Sequence, residues 1–153
     1  MNKALEILDY LEDTIDWIEA KDSRKLDMLD WYYDEDHLFF DSKKGWDCDT
    51  AACLAGWAVV RPEVPDIKSD IQEKLKDVSS GEWMMASVAS TWSWEAEQEI
   101  TYALKRRDTS FVFEQLFSGS LQEYRSKEAT LDLIRSNIID LKNAVKEAQN
   151  AEA

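Results

Sequence analysis

The chain has 153 residues, 44% of them hydrophobic, enough for one domain that buries about two thirds of the surface its unfolded form exposes, so no disulfide or metal staple is required. Four glycines and two prolines are sparse punctuation for a sandwich or barrel and ordinary for a helical protein, which makes all-α the expected class. A formal net charge of -14 repels phosphate and anionic lipid, so direct binding of nucleic acid or membrane is disfavoured and a basic partner is favoured.

The acidity is uneven. Residues 1 to 50 hold 15 acidic and 6 basic side chains, residues 51 to 100 hold 9 and 4, and residues 101 to 153 hold 8 of each. In the first segment Leu5, Leu8, Leu11, Ile15 and Ile18 are spaced three or four apart and predict a helix from Lys3 to Ala20 with one apolar face. Glu6, Asp9, Asp13 and Asp16 line another face, where carboxylates recur about every 5 Å along the axis. Two readings compete for them: a merely solvated face, and a docking row that imitates the phosphates of a nucleic acid. The acidic candidates continue through Asp30, Asp34, Glu35 and Asp36, inside an aromatic-rich stretch from Trp31 to Phe40 whose helical periodicity is poor.

From Ala51 to Val60 every residue is apolar or glycine, and ten such residues span about 15 Å as a helix, too short for a bilayer. Cys48, Ala52, Gly56 and Val60 recur every four positions, as do Ala51, Ala55 and Val59, giving two adjoining small-residue faces. We therefore expect a single compact multi-helix domain built around a buried central helix over residues 47–60, capped by Asp47 or Asp49 and stopped by Pro62. Asp66 is placed to cap a further helix carrying Ile67, Ile71, Leu75 and Val78 on one stripe. A short helix over Glu82 to Ser90 follows, then an interruption at Thr91 to Trp94, then a helix over Glu95 to Arg107. That pair resembles a DNA-reading helix pair only in outline, and the overall charge opposes it.

Thr109 to Gly119 reads as a short capped apolar helix ending in glycine. The last helix starts near Lys127, and its seam of Leu131, Ile134, Ile138, Leu141 and Val145 can pack internally or pair two copies through residues 127–148. Fraying is expected from Ala144, so the domain is drawn as residues 1–150 with a frayed end at 151–153. Seven tryptophans are many for this length; core use is the expectation, and any left exposed are binding anchors.

Asp27-Met28-x-x-Trp31 ahead of Cys48-x-Thr50-x-x-Cys53-x-Ala55-Gly56-Trp57-Ala58 resembles a family of small helical proteins met in bacteriophages and bacteria. The likeness runs more weakly through Glu95 to Leu104, Gln115-Leu116-Phe117 and the last helix, with Asp49 standing where the family has glycine. The resemblance implies a helical fold and a phage origin, and it brings no activity with it.

For chemistry the sequence is poor. Cys48 and Cys53 are five apart, about 140° around a helix, which keeps them from a mutual disulfide, and Asp47 and Asp49 oppose thiolate formation. Around Asp34 to His37 and Asp41 the oxygen donors cluster without the order of a calcium loop, and His37 is the only histidine. No catalytic residue, metal or cofactor is therefore expected. The first residues bring acids at once and leave no apolar signal core, so a cytoplasmic protein is expected, in the host cytoplasm if phage-encoded. The reading is a non-enzymatic acidic protein that binds and inhibits or modulates a host protein, with nucleic-acid mimicry as one route. The alternatives are a homo-oligomeric assembly protein and, third, a Cys-dependent enzyme.

Overall fold

A computed structural model describes residues 2–21, 25–26, 33–34, 50–52, 54–60 and 82–151. The fold is all-α. Its helices are α1 (Lys3–Glu19), α2 (Leu54–Val60), α3 (Glu82–Ala103), α4 (Ser110–Leu116) and α5 (Lys127–Asn150), with a 3-10 turn at Gly119–Gln122. Three very short strands, β1 (Lys25–Leu26), β2 (Tyr33–Asp34) and β3 (Thr50–Ala52), clip the chain before α2. β3 lies in the middle, parallel to β1 and antiparallel to β2.

α1 begins where the Asn2 side chain accepts a hydrogen bond from the Ala4 N–H at 2.8 Å, satisfying one of the orphan donors of the first turn. It buries Ile7, Leu8, Leu11, Ile15 and Ile18 together with Tyr10 and Thr14. α5 starts from the Ser126 cap, which accepts from the Ala129 N–H at 3.1 Å. Its seam of Leu131, Ile134, Ile138, Leu141 and Val145 is buried throughout. The helix runs on through Asn150 past the expected fraying point at Ala144, because Val145 is packed in the core and anchors the last turns. Arg135 meets Asp16 and Glu19 late in α1 while Lys142 meets Asp9 and Glu12 earlier, so the two helices run antiparallel.

The apolar run around Trp57 is central, as expected, but its helix is confined to Leu54–Val60. Thr50–Ala52 is extended instead, because its backbone groups are committed to β1 on one side and β2 on the other. Leu54, Ala55, Trp57 and Ala58 are all fully buried. Trp57 meets the Trp17 ring edge-on at a centroid distance of 5.5 Å, and Tyr10 meets Trp92 edge-on at 6.1 Å. The Tyr10 hydroxyl donates to the Ala58 carbonyl oxygen, tying α1 to α2. Tyr10→Phe is expected to cost about 1–2 kcal/mol, the typical result of leaving a buried acceptor short of a donor, measured as a fall in the urea midpoint. An unchanged midpoint would show that this bond adds nothing to the α1–α2 contact.

The expected interruption at Thr91 to Trp94 is absent: α3 is one helix of 22 residues. Trp92 and Ser93 are buried in it, and burial outweighs the weak helix preference of a Thr-Trp-Ser-Trp run that contains neither glycine nor proline. α4 ends at Leu116 with Phe117 as its C-cap, two residues short of Gly119, which opens the 3-10 turn. Its first turn is held by Asp108, whose carboxylate accepts from the Ser110 N–H at 2.9 Å; that bond holds the Asp108 carboxyl below its ordinary range. The stripe expected over residues 66–78 lies outside the described residues, as do Trp31 and Trp46. Of the tryptophans whose side chains are described, Trp57 and Trp92 are core, Trp17 is half-buried and Trp94 is exposed.

Candidate interaction surface

The antiparallel pairing of α1 and α5 builds a charged seam. Arg135 lies 3.0 Å from Asp16, 2.9 Å from Glu19 and 3.0 Å from Asp132, and Lys142 reaches Asp9 and, at 3.7 Å, Glu12. The cations sit low: the Arg135 and Lys142 side chains are 26% and 22% exposed, against 59%, 64% and 71% for Asp9, Asp16 and Asp132. Solvent therefore meets carboxylates first, with the positive charge beneath them. The hydrogen bond to Glu19 is the largest cause of a raised Arg135 pKa, and that to Asp9 of a raised Lys142 pKa, so both cations stay charged.

Five carboxylates around two cations leave the seam negative. Exposed ion pairs of this kind contribute only about 0.2–1 kcal/mol each, so their main effect is to fix carboxylate positions rather than to hold the fold. Asp13 is exposed and has no ion pair among the described residues. Glu6 is half-buried in the first turns of α1. Asp34 lies in β2 with its backbone paired to Thr50, while Asp30, Glu35 and Asp36 lie outside the described residues.

The structure thus brings Asp9 and Asp16 into one surface and adds Glu12, Glu19 and Asp132, which the sequence reading missed together with both cations. A signal was present. Asp9 and Asp16 are seven residues apart, and so are Arg135 and Lys142, which is the register two antiparallel helices need for repeated pairing.

A second feature absent from the sequence reading lies inside the fold. Ser93, Glu97 and Thr101 recur every four residues along α3 and are all buried, Glu97 at 6% exposure. Burial pushes the Glu97 carboxyl from the ordinary 4.5 up to about 7. One turn on, the Thr101 hydroxyl has no hydrogen-bond partner.

Cys48, Cys53 and His37, the residues on which a thiol or metal chemistry would rest, lie outside the described residues. Among the described residues no group of three or more His, Cys, Asp or Glu is arranged to hold a metal, and no helix is long and apolar enough to cross a membrane. Compared with protein-family models, curated proteins and solved structures, the chain matches none.

Proposed function

We propose that the protein is a non-enzymatic interaction protein that acts in the cytoplasm by docking its acidic α1–α5 face on a basic surface of another protein. In the phage reading the partner is a host protein, and occupation of its basic surface inhibits or modulates it by standing in for nucleic acid. The observation that carries this is the layering of the seam, with Asp9, Asp16 and Asp132 outermost and Arg135 and Lys142 beneath. Carboxylates held in register lose less side-chain entropy on docking than free ones, and a negative field accelerates encounter with a positive partner. Assembly through residues 127–148 has less to support it, since the apolar seam it needs is buried within the same chain.

The test is capture of partners from a host lysate at low and high salt, identified by mass spectrometry, followed by association kinetics of purified pairs. Asp13→Asn together with Asp9→Asn and Asp16→Asn is expected to slow association and flatten its salt dependence, because exposed interface charges act mainly on the on-rate. Stability should fall by no more than about 1–2 kcal/mol, since two exposed pairs lose a carboxylate each. An unchanged low-salt on-rate in the triple variant would reduce this face to a solvated one.

A further inference from the structure

Where α1 begins and α3 and α5 end, an open groove of about 600 Å³ is lined by Lys3, Glu99, Tyr102, Lys105, Arg106 and Gln149, among others. Three cations against one carboxylate make it positive by two charges, a local reversal of sign on a chain of net charge -14. Arg106 is treated differently from the cations of the acidic seam. Arg135 is held by three carboxylates and Lys142 by two, whereas Arg106 forms no ion pair among the described residues and stacks 4.1 Å above the Phe111 ring. Stacking occupies one face of a guanidinium and leaves its in-plane N–H donors available for a fork-like contact with an oxyanion.

The backbone fixes this arrangement. Lys105 closes α3 in the left-handed region at φ 59°, with its N–H donating to Tyr102 O at 3.0 Å and the Arg106 N–H donating to Thr101 O at 3.1 Å. Lys3 stands opposite in the first turn of α1, 3.9 Å from Glu99. Favourable interaction with the carboxyl end of α3 accounts for a cation after that helix and the Glu99 pair accounts for Lys3, but neither accounts for the space between them. Tyr102, at 83% exposure, adds an aromatic surface at the rim.

We infer that this groove is a binding site for a small phosphomonoester, with Arg106 engaging two phosphate oxygens, Lys3 and Lys105 supplying charge, and Tyr102 covering the organic group. The sign matches: a phosphomonoester carries about -1.5 to -2 at neutral pH, and cations outnumber carboxylates three to one in the groove lining, with the Asp108 carboxylate acting on Arg106 from outside it. A volume of this size suits a small ligand. The site is independent of the acidic α1–α5 face.

Phenyl phosphate and inorganic phosphate are suitable probes, titrated into the full chain at low ionic strength by calorimetry and backbone NMR. Saturable 1:1 binding is expected, with shifts confined to the residues around Lys3, Tyr102 and Arg106, and with phenyl phosphate the tighter ligand. Arg106→Gln should weaken it by about tenfold or more, Arg106→Lys by less, and Arg107→Gln, outside the groove lining, by less than about twofold. Tyr102→Ala should remove the preference for the phenyl ester and leave inorganic phosphate binding in place. Absence of saturation by about 10 mM, or equal weakening by the Arg106 and Arg107 variants, would overturn the assignment and leave only a diffuse positive field.

Discussion

Trp57→Ala is expected to destabilise the protein by about 3–5 kcal/mol, the usual range for removing a large buried aromatic. Trp57 is fully buried, meets Trp17 edge-on, and sits on a helix of seven residues. So short a helix has no stability of its own in water, because nucleation costs more than its few hydrogen bonds return. α2 therefore persists only through what it packs against, and its packing partners are α1 and α3. Loss of the indole removes the largest apolar body from that contact and leaves a cavity that backbone relaxation closes only in part. Urea denaturation followed by far-UV circular dichroism is the suitable readout, since the change removes one of seven tryptophans and would distort a fluorescence signal. A midpoint shift at unchanged m-value is the expected result. A cost under about 1 kcal/mol would mean that α2 is peripheral and that the core is organised elsewhere.

The two long outer helices were legible because their apolar residues keep a helical period over many turns. Leu8, Leu11, Ile15 and Ile18 in α1, and Leu131, Ile134, Ile138, Leu141 and Val145 in α5, are buried as their spacing predicts. Local pattern is enough there because each helix shows the core a single stripe. It fails at Thr50–Ala52, where a run of small residues equally suited to helix or strand is decided by distant pairing with Lys25–Leu26 and Tyr33–Asp34. It fails again in α3, where the row Trp92, Ala96 and Ile100 is flanked by the buried row Ser93, Glu97 and Thr101: the two share one face, but half of that face is polar, so a search for apolar spacing does not mark it. The acidic row was legible as charge but not as structure. Glu6, Asp9, Asp13 and Asp16 look equivalent on a helical wheel, yet two of them lie over cations that arrive more than a hundred residues later. Only the matched seven-residue spacing of Arg135 and Lys142 carries that information in the sequence.

Glu97→Gln is expected to stabilise the protein increasingly as pH rises from about 4.5 to a little above 7, by up to about 3 kcal/mol at the upper end. Glu97 is 6% exposed, and burial lifts its carboxyl from 4.5 to about 7 in the folded chain. Between those two values the folded state keeps a proton that the unfolded state has released, so unfolding releases protons and stability falls as pH rises. The loss begins near 4.5, is largely complete a little above 7, and is constant beyond that, where the folded state carries an ionised carboxylate in a desolvated position. Glutamine keeps the shape and the donor group of the protonated acid but has no charge to bury, so the variant escapes the loss. Comparison of the two proteins at each pH removes the contribution of the remaining acidic residues, which titrate alike in both. The measurement is the difference in unfolding free energy from urea titrations at half-unit steps. The expected curve is sigmoidal with its rise between about 4.5 and 7. A difference that stays flat across this range would mean that water reaches Glu97 and that its carboxylate is solvated in the native state. The neighbouring Thr101 hydroxyl, buried without a partner, sharpens the comparison: if the amide introduced by Glu97→Gln finds it, the bond would add a pH-independent offset and leave the sigmoid in place.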